Sequence, residues 1–117
     1  MPKRYSDITA DISEYVRILR KELPDVMSGF SAMAQAATKT QGLDKKTKEL
    51  IALAIGVSTR CDGCIGFHIE TLVKLGATRA EVGETLGMAI YMGGGPSLMY
   101  AADALRAFDE FSQKAPS

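Results

Sequence analysis

The chain is predicted to be all-α, a compact bundle of about six helices. Three observations carry the prediction. Apolar residues recur at three- and four-residue intervals through most of the 117 positions, as one face of an α-helix requires. Sustained apolar/polar alternation is missing, and so is an Asn-Gly or Asp-Gly turn between β-branched runs; the only Asp-Gly, Asp62-Gly63, lies inside a cysteine motif. Glycine and proline break the sequence between the periodic segments, at Pro24, Gly42, Gly76 and Gly93-Gly94-Gly95-Pro96.

The first helix is expected from about Ser6 to Glu22, with Ile8, Ile12, Tyr15, Val16 and Leu19 as its apolar stripe. Pro24 suits a first-turn position and opens the second helix, which should bury Val26, Met27, Phe30, Met33, Ala34 and Ala37 before the polar run Thr38-Lys39-Thr40-Gln41-Gly42. Asp44 is a fitting N-cap for a third helix to about Thr59, apolar on nearly every side through Leu50, Ile51, Leu53, Ala54, Ile55 and Val57, and therefore expected to be central. A fourth starts around Cys61 and runs through Leu75, with Gly76 as its stop. Thr78-Arg79-Ala80-Glu81 reads as a capping box opening a fifth helix to about Met92. Gly93-Gly94-Gly95-Pro96 breaks it, and a sixth runs from about Ser97 to Phe111, leaving a frayed tail from Ser112. The whole is expected to form one domain, 1–117, in which an N-terminal hairpin (1–41) packs on a motif-bearing core (44–111).

Composition narrows the function. The chain is 46% hydrophobic and 24% charged, with 14 basic and 14 acidic residues and zero formal charge. A nucleic-acid footprint would need a basic excess or patch. No apolar run reaches the roughly 18 residues of a membrane span, and the first residues lack the apolar centre of a signal peptide. A cytoplasmic protein with no membrane or nucleic-acid partner is expected. In a reducing compartment a cysteine pair is catalytic, redox-sensing or metal-binding more often than a permanent staple. A small helical chain has much surface for little core, so its apolar excess points to a homo-oligomer.

The chemistry concentrates in one segment. Cys61, Cys64 and His68 comprise every cysteine and histidine of the chain. On a helix all three share one stripe. Cysteines three apart place their Cα atoms roughly 5–6 Å apart, within disulfide range, and such short, accessible bridges are labile. His68, four residues beyond Cys64, can reach that sulfur and exchange protons near neutral pH. The helix start favours a thiolate at Cys61, while the imidazole favours Cys64. Arg60 adds positive charge and Asp62 opposes it. Glu49, on the preceding helix, could orient His68. A rival reading makes Cys61, Cys64, His68 and Glu49 the ligands of a zinc-binding helical module; another makes Glu49 and His68 an acid/base pair with incidental cysteines. No cofactor is expected. Gly93 to Gly95 lacks the Lys-Ser/Thr of a phosphate loop. Met88, Met92, Met99, Tyr91 and Tyr100 are expected to wall the space above the thiols.

The spacing Glu49, Cys61, Cys64, His68 resembles the core motif of the alkylhydroperoxidase D-like branch of the carboxymuconolactone decarboxylase family. The resemblance covers roughly residues 30–111, and the stretch from Ile90 to Phe111 is similar to the last helices of short members. It implies an all-helical protein assembling as a trimer or hexamer, and a peroxidase cycle. Cys64 would attack a hydroperoxide, Cys61 would resolve the sulfenic acid, Glu49 and His68 would relay protons, and a lipoyl or thioredoxin-like dithiol would reduce the pair. The sequence departs from the described peroxidases in two ways: Gly63 stands where they carry a second histidine, and the chain has about one of their two repeats. A lactone decarboxylase, by contrast, does not use a Cys-x-x-Cys pair.

Overall fold

The computed structural model describes residues 3–114 and contains six helices and no strand among them: α1 (Tyr5–Glu22), α2 (Pro24–Thr38), α3 (Lys45–Ser58), α4 (Asp62–Lys74), α5 (Arg79–Gly93) and α6 (Gly95–Lys114). Helix α3 packs on α4, α5 and α6, α6 packs on α4 and α5 as well, and α1 lies across α4 and α6. The buried core draws Leu53 and Val57 from α3, Ile65, Ile69 and Leu72 from α4, Val82 and Leu86 from α5, Ala104 and Phe108 from α6, and Tyr5 from α1. Full burial of a Leu, Ile or Val side chain stabilises by roughly 1.5–3 kcal/mol, so α3 and α4 are the best-anchored pair.

The helix ends follow local chemistry. Asp44 caps α3 by accepting from the Thr47 amide at 2.8 Å, and Thr78 and Glu81 form the reciprocal capping box of α5. Leu23 closes α1 and precedes α2, with Pro24 at the first helical position. Gly76 ends α4 at φ 79°. The N-cap of α1 is Arg4, whose side chain caps nothing. Glu110 of α6 substitutes across the fold, accepting from the backbone amides of Tyr5 and Ser6 and from Ser6 Oγ at 2.6–3.0 Å.

The structure corrects the sequence reading at three places. The breaker Gly93 to Pro96 shrinks to Gly94 alone (φ 73°), because α5 runs through Gly93 and α6 starts at Gly95. Gly93 is needed there: a Cβ on it would meet the Ser97 side chain. Helix α6 continues through Ser112 to Lys114, where fraying was expected; the rest of that tail lies outside the described residues. Helix α2 buries none of its side chains, and Val26, Phe30 and Met33 are 64%, 59% and 61% exposed. Tyr15 and Leu19 of α1 and Ile51 and Ile55 of α3 are exposed as well. One chain covers a single stripe of each amphipathic helix, and these sequences carry more apolar surface than one stripe.

Candidate functional site

The site grows out of the turn between α3 and α4. The Cys61 amide donates to the Gly56 carbonyl and the Arg60 amide to the Val57 carbonyl, a Schellman closure of α3. Its left-handed position, usually glycine, is Arg60 at φ 58°, a conformation that costs a non-glycine residue of order 1 kcal/mol or more. The next residue serves both helices. Cys61 ends the closure of α3 and is also the N-cap of α4, its Sγ accepting from the Cys64 amide at 3.1 Å. One amide of the helix N-terminus thus faces a sulfur, where it favours negative charge.

Cys61 and Cys64 are joined as a disulfide, with Cα atoms 5.2 Å apart. Both are half-buried. Helix α3 closes on them through Gly56, where a Cβ would lie only 3.0 Å from Cys64 Cβ. One turn further along α4, His68 meets α3 again. Its Nδ1 lies 2.6 Å from Oε2 of Glu49. Glu49 is 5% exposed, whereas about a third of the His68 side chain reaches the surface. With a carboxylate accepting, Nδ1–H is the donor, which leaves Nε2 as the basic nitrogen. Nε2 has no protein hydrogen bond among the described residues. The arrangement therefore offers an accessible two-electron couple and, one turn away, an imidazole oriented by a buried carboxylate.

A second layer of residues, absent from the sequence reading, holds Asp62. Lys3 Nζ donates to Asp62 Oδ1 and Asp103 Oδ2, both at 3.0 Å, and the Tyr5 hydroxyl donates to Asp62 Oδ1 at 2.9 Å. Lys3 also sits 5.0 Å from the centroid of the Tyr100 ring. Tyr5 is fully buried, and burial, reinforced by the hydrogen bond to Asp62, pushes its hydroxyl far above the usual phenol range. Burial works against the Lys3 ammonium, but the two aspartates together raise its pKa, so it stays charged. Sequence could not have found this cluster, because its members are up to 100 residues apart.

Helix α1 closes over the same motif by means of two glycines. A Cβ at Gly63 would fall 2.8 Å from Ile12 Cδ1, and one at Gly66 would fall 2.6 Å from Thr9 Cγ2. Ile12 thus occupies the space into which a side chain at position 63 would point. The proposed wall is not assembled within the chain: Met88, Tyr91, Met92 and Met99 are exposed, and only Tyr100 turns partly inward, beneath Lys3. Among the described residues no group of three or more His, Cys, Asp or Glu side chains is disposed to hold a metal ion, and no helix is long and apolar enough to cross a membrane.

Residues 24–107 match the model of the carboxymuconolactone decarboxylase family. The fold superposes on the crystal structure of an apo member of that family from Legionella pneumophila with a TM-score of 0.91 and 67% identity, covering 92% of this chain and 96% of the other. A Thermotoga maritima member of the family, named as a candidate for the antioxidative response, superposes with a TM-score of 0.77 at 28% identity over 88% of this chain and 91% of its own. An uncharacterised protein of Cupriavidus necator is 40% identical over 99 residues, 85% of this chain and 88% of that protein.

Proposed function

This chain belongs to the carboxymuconolactone decarboxylase family, and on that premise we propose that it is a thiol-dependent antioxidant oxidoreductase of the alkylhydroperoxidase D-like type. The Cys61–Cys64 pair fits that branch. The observation that carries the proposal is the 2.6 Å Glu49–His68 hydrogen bond one turn from this disulfide.

The cycle starts from the disulfide. A dithiol of the lipoyl or thioredoxin-like kind attacks one sulfur as a thiolate, forms a mixed disulfide, and leaves as an intramolecular disulfide. Two electrons pass to the pair, which becomes two thiols. His68 Nε2 takes the proton of Cys64, four residues before it on α4. Glu49 holds the imidazole in the accepting tautomer and stabilises the imidazolium. The Cys64 thiolate attacks the terminal oxygen of a hydroperoxide. The S–O bond forms, the O–O bond breaks, and the leaving alkoxide takes the proton from His68 and departs as an alcohol. Cys61, whose sulfur faces the Cys64 amide, then attacks the Cys64 sulfenic acid, expelling water and restoring the disulfide. The sum is hydroperoxide plus dithiol giving alcohol, water and disulfide.

Exposed Val26, Phe30, Met33, Ile51 and Ile55 support assembly as a homo-oligomer, a trimer or hexamer, and a cytoplasmic setting fits a pair that must be re-reduced. Mass spectrometry tests the cycle. After brief treatment with a hydroperoxide, the reduced protein should lose two hydrogens per chain and regain them with dithiol. Peroxide turnover that survives replacement of both cysteines by serine would instead favour acid/base chemistry at Glu49 and His68.

A further inference from the structure

Asp62 is one of the two residues enclosed between the two half-cystines, the other being Gly63, and it occupies the first position of α4. A bare carboxylate there would repel a thiolate on either sulfur and would compete with it for the positive end of the helix. The carboxylate is not bare. Lys3, from the segment before α1, donates to it and to Asp103 of α6; the Tyr5 hydroxyl of α1 donates to the same oxygen as Lys3 does. The Tyr100 ring of α6 lies beneath the ammonium. The other charged groups near the pair are Arg60, exposed before Cys61, and the Glu49–His68 pair on the α3 side.

We infer that Lys3, acting through Asp62, is a positioning residue that keeps the Cys61–Cys64 couple reducible: by neutralising the carboxylate inside the motif it favours the thiolate of the reduced pair. The inference rests on the proposed redox cycle but concerns a separate property, the balance between disulfide and dithiol. Lys3 touches neither sulfur. It works by holding Asp62 and sharing its charge with Asp103.

The ion pair has two ends, and removing the charge at one or the other acts on the thiolate with opposite sign. Lys3→Met leaves Asp62 and Asp103 uncompensated, which disfavours the thiolate. Asp62→Asn removes the repelling charge, which favours it. A merely structural pair would loosen the same contact in both variants and move both the same way. The experiment uses the full chain, reduced with dithiothreitol. The thiol pKa is read from the pH dependence of iodoacetamide alkylation, and the disulfide equilibrium from glutathione buffers.

Lys3→Met should raise the thiol pKa and shift the glutathione equilibrium about threefold or more toward the disulfide, the size expected for one partly screened charge nearby. Asp62→Asn should shift both in the opposite direction, and Lys3→Arg should match the wild type. If Lys3→Met does not fold, Asp103→Asn on α6 answers the same question: freeing Lys3 for Asp62 should lower the thiol pKa. Parallel shifts in Lys3→Met and Asp62→Asn, or an unmoved thiol pKa in Asp62→Asn and Asp103→Asn, overturn the inference while the redox cycle stands. A wild-type pair that does not exchange with glutathione at all overturns both.

Discussion

Glu49 and His68, nineteen residues apart in sequence, are joined across the α3–α4 interface by a 2.6 Å hydrogen bond whose carboxylate end is buried and whose imidazole end is partly open. The contact exists because α3 and α4 approach closely at Gly56 and run past each other along a buried apolar seam that includes Leu53, Val57, Ile65 and Ile69. Among the described residues the His68 ring is the hydrogen-bond partner of the Glu49 side chain, and in the proposed cycle its role is to orient that ring.

The orienting role of Glu49 gives the first prediction. Glu49→Gln keeps the size of the side chain but removes the charge that fixes the tautomer and stabilises the imidazolium. Dithiol-dependent peroxide turnover should fall by roughly 100-fold, the lower end of what acid–base catalysis supplies, while circular dichroism stays that of the wild type. Turnover within twofold of the wild type would remove Glu49 from the relay.

The docking of α1 depends on glycines in α4. Gly66→Ala sets a methyl against Thr9 Cγ2, where the undisturbed distance would be 2.6 Å. Overpacking of this kind costs roughly 1–3 kcal/mol, read as a lower urea midpoint. Thr9→Ser removes the opposing methyl, so the double variant should recover part of the loss. Strict additivity of the two changes would mean that the helices do not meet there.

Gly63 is constrained in the same way by Ile12, with a hypothetical Cβ at 2.8 Å. Gly63→His, which would set an imidazole beside Cys64, should therefore destabilise the protein by about 1–3 kcal/mol. Combined with Ile12→Ala, it should fold with most of that loss recovered. Equal urea midpoints for Gly63→His and the wild type would show that α1 yields freely.

Glu110 supplies a prediction in pH. Burial tends to raise its pKa, but the hydrogen bonds from Ser6 and the Tyr5 amide outweigh burial and hold the carboxyl below its usual value of 4.5. A carboxyl whose folded pKa is depressed contributes stability that is present above its unfolded pKa and is lost as pH falls through the folded one. Glu110→Gln should thus cost about 0.5–2 kcal/mol at pH 7, as loss of a helix cap does. The difference should shrink on acidification below pH 4.5. A difference independent of pH between 7 and 3 would contradict the assignment.

The sequence carried the helices well because their ends are local. Asp44, the Thr78–Glu81 box, Pro24 and Gly76 act on residues within a turn or two. The Cys61–Cys64 pairing was legible for the same reason. What escaped was whatever depends on distant segments meeting: Lys3 and Tyr5 on Asp62, Glu110 on the start of α1, and Ile12 over Gly63. Periodicity also says which face of a helix is apolar, but not whether this chain has anything to cover it. Phe30 and Ile55 were therefore expected inside and are found outside.

The central claim is that Cys64 reduces hydroperoxides with electrons from a dithiol. Steady-state consumption of an organic hydroperoxide, measured with dihydrolipoamide for the wild type and for Cys64→Ser, tests it most directly. Turnover in the wild type that disappears in the variant is the expected result. Equal turnover in both, or none in the fully reduced wild type, would contradict it.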